Sequence, residues 1–424
     1  MDYRALLKNV EKTLTAIERS EDVLSTILNL GEAVVRNFQR ELGIAGGRLY
    51  VLDENEYVLR AGFGRSRKVP QGLAVQRTYG PIHRAEEEGV VLLESGDPSI
   101  DRELEGRLGV TRFAAVSFGE GRFLLSFDVH PRVVADDLFI SLGIIRTVLD
   151  SKVRTEKLEE LLNDARRIQQ SILPKAPPSV GDYDVFGLSL PAEVVGGDFY
   201  DFIPISDSTF GAAVADASGH GLLAALLVRD VYVGLRMAIG GDLKISRTVE
   251  RLNRILNKSR LTTKFVSLFY GEFESGGEII YVNAGHPGPL HYHARSRSFT
   301  ELESTGMVLG PSPSSAYGRR AFRMAPGDLL LLYTDGIPEA RDASGREFGT
   351  ARLKRVLVDN RRRHAREIAD RIVSAARDFS GGRSQEDDQT VVVIKRARPA
   401  HAAAPGTAGR LETVSFAPPE SPPT

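Results

Sequence analysis

Residues 209–221, TFGAAVADASGHG, run from a small, apolar, strand-like segment into an aspartate and then into glycines. The first part alternates tightly enough to lie in a sheet. The last part breaks the strand, and Gly219 and Gly221 open toward a helix whose N-terminus favours negative charge. Asp216 is thereby set at a strand end, where a rigid sheet presents a carboxylate at its rim. The same arrangement recurs outward along the chain. Asp198 follows two glycines in GGDFYD (196–201), Asp335 ends the apolar run LLYTDG (331–336), and Asp387 and Asp388 precede the strand-like QTVVVI (389–394). Several carboxylates brought to one point repel each other unless a cation lies between them. Hard divalent cations take such oxygen ligands, and two of them can activate water against a phosphoryl group.

The strands that carry these acids also indicate the fold. DYDVFGLSL, TFGAAVAD, FVSLFYGEFE, EIIYVNAG, DLLLLYTDG and QTVVVIKR are separated by short turns, with long helices expected at 219–238, 244–259 and 350–379. The helices cluster between groups of strands and do not alternate singly with them. That pattern favours antiparallel sheets with helices packed outside, an α+β architecture over 176–396.

Upstream, apolar residues recur at three- and four-residue steps through residues 1–40, which reads as helix. Strand-like GGRLYVLDE, YVLRAGFG, TRFAAVSFG and RFLLSFDV follow, giving a separate α+β domain over 1–137. Residues 138–173 read as one long helix, broken by PKAPPSVGD, and the linker spans 138–175. A 4–3 series through Ile144, Val148, Ser151, Thr155, Leu158, Leu162, Ala165, Gln169 and Ile172 makes a short dimeric coiled-coil seam; packing on the flanking domains is the other reading. From 397 to 424, Pro, Ala and Gly dominate without periodicity, as in a disordered tail.

Composition narrows the function. The 424 residues carry a formal net charge of −1 and no Cys. Bulk attraction to nucleic acid or to an anionic membrane is not expected, and the run Arg361–His364 reads as a solvated helix face. Disulfides, thiolate metal sites and a Cys nucleophile are excluded. No apolar run is long enough to span a bilayer, and MDYRALLKNVEKTL lacks the apolar core of a signal peptide. A cytoplasmic protein is expected.

ARRIQQSILP, PAEVVGGDFYDF, VADASGHGLLAALL, FVSLFYGEFE, YVNAGHPGPL, LGPS, PGDLLLLYTDGIPEARDASGREFG and EDDQTVVV occur in this order between residues 165 and 395. Together they resemble the bacterial PP2C-type protein phosphatases of the SpoIIE/RsbU class. The resemblance implies an αββα sandwich and a Ser/Thr phosphatase that uses two Mn²⁺ or Mg²⁺ ions. The implied substrate is a phosphorylated STAS-domain anti-sigma-factor antagonist. It also implies roles. Asp216 bridges both metals, the Ala217 carbonyl ligates one, Asp198 is an outer ligand, and Asp335, Asp387 and Asp388 are assigned to the centre, Asp387 aligning best with the family's ligand. Asp388 holds a water or fixes its neighbour.

Without the resemblance, Asp216 could be a helix N-cap and Asp335 a turn residue. Asp201 reads as a turn cap, with support of Asp198 as the alternative. Ser218 stands where eukaryotic-like relatives carry a His, so His220 reads as a packing or helix-start residue, and His286 in NAGHPGPL is the other candidate proton donor. The segment ILNLGEAVVRNFQRELGIAGGRLYVLDENEYVLRAGFG (27–64) resembles a GAF-type sensor domain, with PAS the runner-up; no ligand signature is found in the domain, and His83 and His130, candidate ligands only in name, read as surface or hydrogen-bonded residues. A homodimer through the linker helix and this domain is expected. The competing functions are a catalytically inactive signalling scaffold and a phosphatase of a small phosphorylated molecule.

Overall fold

The computed structural model describes residues 23–94, 96–108, 112–219, 221–238, 244–258 and 265–397. Residues 1–22 of the expected N-terminal helix, His220, and the expected tail beyond Ala397 lie outside them. The chain divides into two compact units, Met1–Leu161 and Leu162–Thr424.

In the first unit, helix α1 (Val23–Leu42) leads into β1 (Ile44–Asp53) and β2 (Glu56–Gly64). Then come β3 (Ala74–Gln76), α2 (Gly80–Glu88), β4 (Val90–Glu94), α3 (Arg102–Leu108), β5 (Arg112–Phe118) and β6 (Phe123–Val129). They form one antiparallel sheet in the order β3-β2-β1-β6-β5-β4. One face packs on Ile27, Leu30 and Val34 of α1 and on Leu138, Leu142, Ile145 and Leu149 of the long helix α4 (Ala135–Ile172). The other face packs on Ile82 and Ala85 of α2. The strand β4 was not expected from sequence, because VVLLE is too short to separate from a buried helix segment by pattern.

Helix α4 carries two apolar rows. Leu138, Leu142, Ile145 and Leu149 are buried, one face turned to the sheet. Of the expected seam, Ile144 and Val148 are half-buried against the same core, whereas Leu158 and Leu162 are exposed.

The second unit is an αββα sandwich. One sheet has the order β14-β11-β10-β9-β8, built from β8 (Asp198–Ser206), β9 (Thr209–Ala217), β10 (Val266–Glu274), β11 (Glu278–Ala284) and β14 (Arg320–Arg323). The other has the order β13-β12-β15-β16-β7, built from β7 (Tyr183–Leu190), β12 (Leu290–His293), β13 (Ser298–Glu301), β15 (Leu329–Tyr333) and β16 (Gln389–Arg396). All pairings are antiparallel. Side chains alternate strictly. Phe210, Ala212 and Val214 of β9 meet Leu330 and Leu332 of β15 and Val392 and Ile394 of β16 between the sheets. Ala213, Ala215 and Ala217 turn outward to α5 (Leu222–Ala238) and α6 (Ile245–Lys258). Leu329, Leu331, Val391 and Val393 turn outward to α7 (Gly349–Asn360) and α8 (Ala365–Phe379). Strands buried on both faces explain the near-continuous apolar runs in the sequence, and each fully buried Leu or Val contributes about 1.5–3 kcal/mol.

The single helix expected over 350–379 is two. The break falls at Arg361–His364, the stretch read as a solvated helix face. There the Asp184 carboxylate of β7 accepts a hydrogen bond from the Ala365 N–H at 3.0 Å and restarts the helix. A cap from so distant a residue leaves no local signal.

Among the described residues, no helix is long and apolar enough to cross a membrane.

Candidate metal centre

Strand pairing brings the predicted acids to one rim. In the β8–β9 ladder Asp198 lies directly opposite Asp216, and Asp216 lies opposite Ser267 of β10. In the other sheet Tyr333 pairs with Val391, so the residues that follow β15 and those that precede β16 leave the sheet at the same end. Those residues are Asp335, Asp387 and Asp388.

Side chains then tie the two sheets together. Thr334 Oγ1 donates to Asp198 Oδ2 at 2.7 Å and accepts the Thr390 N–H at 3.0 Å. Asp388 is buried and spent on backbone. It accepts the N–H groups of Ala192 at 2.7 Å, of Asp198 at 3.2 Å and of Gly197. A Cβ on Gly196 would stand 2.5 Å from Asp388 Oδ2, so glycine is required for this approach. From the C-terminal end of α4, Gln169 clamps the same turn. Its Nε2 donates to the Gly196 carbonyl at 2.6 Å, and its Oε1 accepts the Gly196 N–H at 3.0 Å. The Ala217 carbonyl faces the turn too, 2.8 Å from where a Gly197 Cβ would be.

The electrostatics are those of acids crowded out of water. Burial, and then the Asp216 charge, hold the Asp198 carboxyl well above the carboxylate range. Burial pushes Asp216 up to about 7, reinforced by Asp335, Asp387 and Asp388 in that order. Asp335 is raised by burial and by Asp387. Asp388 is raised by burial, against which its backbone hydrogen bonds act. The charges acting on Asp198 and Asp216 all come from other carboxylates. An all-oxygen set of this kind, with two half-buried members (Asp216, Asp335) and an exposed one (Asp387), fits hard divalent cations.

Asp201 belongs elsewhere. It lies within β8, fully buried, and takes both forks of Arg236 from α5 at 2.8 Å. It is neither a turn cap nor a support for Asp198. Three residues along the strand from Asp198, it faces the opposite side of the sheet.

His286 is buried, with Nδ1 2.8 Å from Ser267 Oγ, and burial lowers it to about 3. It stays neutral at physiological pH and is a poor proton donor there. Ser218 receives the Phe265 N–H on its hydroxyl at 2.9 Å and gives its own N–H to the Phe265 carbonyl, a link between the two loop ends.

Sequence reasoning missed Thr334, Thr390 and Gln169. The threonines sit beside predicted acids, in YTDG and DDQT, which was the available signal. Gln169 was read only as a seam position.

Residues 206–397 match the family model described as Stage II sporulation protein E (SpoIIE). The phosphoserine phosphatase RsbU of Bacillus subtilis (strain 168) is 25% identical over 245 residues, 57% of this chain and 71% of that protein. Protein IcfG of Synechocystis is 27% identical over 280 residues, 59% of this chain; the chain spans 44% of that relative's length. Among solved structures, the SiaA-PP2C domain of Pseudomonas aeruginosa superposes with a TM-score of 0.51 at 22% identity. That match covers 57% of this chain and 98% of the domain, and it shows a shared fold.

Proposed function

We propose, for a chain that carries a phosphatase domain of the SpoIIE/PP2C type, that it is a divalent-metal-dependent protein serine/threonine phosphatase. The observation that carries the reading is the carboxylate rim. Asp198 and Asp216 face each other across one sheet, and Asp335 and Asp387 reach the same charge cluster from the other.

Two Mn²⁺ or Mg²⁺ ions would be held by Asp198, Asp216, Asp335, Asp387 and the Ala217 carbonyl. When bound, they supply Lewis-acid stabilisation of the phosphoryl oxygens and of the water nucleophile. The chain's own residues hold and orient. Asp388 acts through backbone, fixing the 196–198 turn from which Asp198 projects, and Thr334 fixes the Asp198 carboxylate. With no Cys in the chain, no thiolate phosphoenzyme can form. His286, neutral and hydrogen-bonded to Ser267, orders the loop behind the site and does not supply the leaving-group proton.

The substrate we infer is a phosphoserine or phosphothreonine of a STAS-domain anti-sigma-factor antagonist, handled in the cytoplasm. The similarity to RsbU, a phosphoserine phosphatase, supports this. We read residues 1–137 as a GAF-like sensor, 138–175 as a linker, 176–396 as the phosphatase and 397–424 as a tail. Exposed Leu158, Leu161, Leu162 and Ile168 on α4 support dimerisation through that helix. The Gln169 clamp on Gly196 gives the helix a direct hold on the turn that bears Asp198.

The test is dephosphorylation of phosphorylated STAS proteins by the full chain, with Mn²⁺ and with chelator, beside Asp216→Asn. Metal-dependent turnover lost in the variant is expected. Turnover that survives chelation, or survives in Asp216→Asn, overturns the reading.

A further inference from the structure

We propose that the second unit binds a transition-metal ion, with Zn²⁺ the best fit, at His291, His293 and Asp328. This site stands apart from the aspartate rim and does not depend on the phosphatase reading. His291 and His293 are two apart on β12 and share one face of the strand. Leu290 and Tyr292, on the opposite face, pack toward α7 and α8. Asp328 immediately precedes β15, the strand beside β12. Asp335 lies beyond the other end of β15, so the two sites are about 20 Å apart along the strand direction.

The three ligand atoms lie within 4.8 Å of one another. His291 Nε2 is 3.1 Å from Asp328 Oδ2, and His293 Nδ1 is 4.0 Å from the same oxygen. Ligand atoms on a tetrahedral Zn²⁺ stand about 3.3 Å apart, given bonds of about 2.0–2.2 Å. A shift of about 1 Å in the His293 ring, the one partly exposed member, would bring its Nδ1 to that spacing from Asp328 Oδ2.

The surrounding hydrogen bonds favour ligation. His293 Nε2 is 2.8 Å from Thr300 Oγ1 on β13. A proton on Nε2, given to that hydroxyl, leaves the Nδ1 lone pair turned toward Asp328. Metal-bound histidines are fixed by such a partner on the second nitrogen. Asp328 is fixed as well: Oδ1 accepts the Ala294 N–H at 2.8 Å and Oδ2 the Ala325 N–H at 2.9 Å. To ligate, His291 would carry its one ring proton on Nδ1 and present the Nε2 lone pair, so that the metal takes the place between Nε2 and Asp328 Oδ2. The mixed nitrogen and oxygen set suits a borderline transition-metal ion such as Zn²⁺, where the all-oxygen rim suits Mg²⁺ or Mn²⁺. Three protein ligands leave a fourth position for water on the His293 side. Bound there, the ion would staple the edge hairpin β12–β13 to the start of β15.

The test uses the full chain, stripped with chelator and dialysed against Zn²⁺ with excess Mg²⁺ to occupy the aspartates. Wild type is expected to retain about one more Zn²⁺ per chain than His293→Ala. Co²⁺ should give the visible ligand-field band of a four-coordinate site in wild type alone. Thr300→Val should weaken Zn²⁺ binding about tenfold or more. Mg²⁺-dependent phosphatase activity should be unchanged in His293→Ala. Equal Zn²⁺ content in the two chains, or no Co²⁺ band in wild type, overturns the proposal. If circular dichroism shows His293→Ala misfolded, His293→Asn takes its place with the same two outcomes.

Discussion

Replacing Asp216 by Asn should remove activity and yet stabilise the metal-free fold. In the folded chain Asp216 is raised from 3.8 to about 7 by burial and by Asp335, Asp387 and Asp388. Between those values the folded state holds a proton that the unfolded state has released. The unfolded state then binds fewer protons, so unfolding free energy falls as pH rises through that window and stays lowered above it. The gap of about three pH units sets a ceiling of about 4 kcal/mol at 1.36 kcal/mol per unit. Asp216 is only half-buried, and local relaxation reduces the expected penalty to about 1–3 kcal/mol. Asn carries no charge and avoids it. In chelator at pH 8, thermal melting of Asp216→Asn should therefore lie above wild type by about 2–4 °C for each kcal/mol. At pH 4 the two curves should nearly coincide, because Asp216 is protonated in the wild-type fold. Adding Mn²⁺ should raise wild type more than the variant, since bound cations remove the repulsion in wild type. A variant no more stable than wild type at pH 8 in chelator would refute the idea that these carboxylates are held together at a cost. An identical difference at pH 4 and pH 8 would show that the effect is not the charge of Asp216.

Three further outcomes follow from individual contacts. Thr334→Val removes the hydroxyl that holds Asp198 Oδ2 and receives the Thr390 N–H; the apparent Mn²⁺ requirement should rise about tenfold in activity titrations, and the buried Thr390 N–H left without that acceptor should cost about 1–3 kcal/mol in urea unfolding. Arg236→Ala leaves buried Asp201 without its forked partner; with Arg236 about a third exposed, the loss should be about 2–3 kcal/mol in urea unfolding, less than for a fully buried pair. Gln169→Ala releases both backbone groups of Gly196; kcat should fall with the fold intact by circular dichroism, and unchanged kcat would remove the helix from any control of the turn.

How much of this was legible in the sequence depended on whether a residue's partners were local. Strand ends could be read because an apolar run followed by Asp and Gly is a local pattern, so Asp216 and Asp335 stood out from the sequence alone. Antiparallel sheets with helices outside were legible for the same reason, since runs such as LLLLY and TVVVI are apolar on both faces and suit strands covered on both sides; their stacking as an αββα sandwich was implied by the family resemblance. Helix breaks and side-chain partners were not legible. The split between α7 and α8 depends on Asp184, a residue of β7 far back in the chain. Asp201 and Asp198 look alike in GGDFYD, but one meets an arginine from α5 and the other a threonine after β15. They are three apart on a strand, and an odd separation sends two side chains to opposite faces. Strand parity therefore separates them: once GGDFYD is read as the start of a strand, only one of its two aspartates can face the rim, and the other must find its counter-charge on the opposite face. The same parity applied to LHYH places His291 and His293 together on the face away from the apolar α7–α8 layer. A period of two thus carries information about sites as well as about cores, and it can be read with no partner identified.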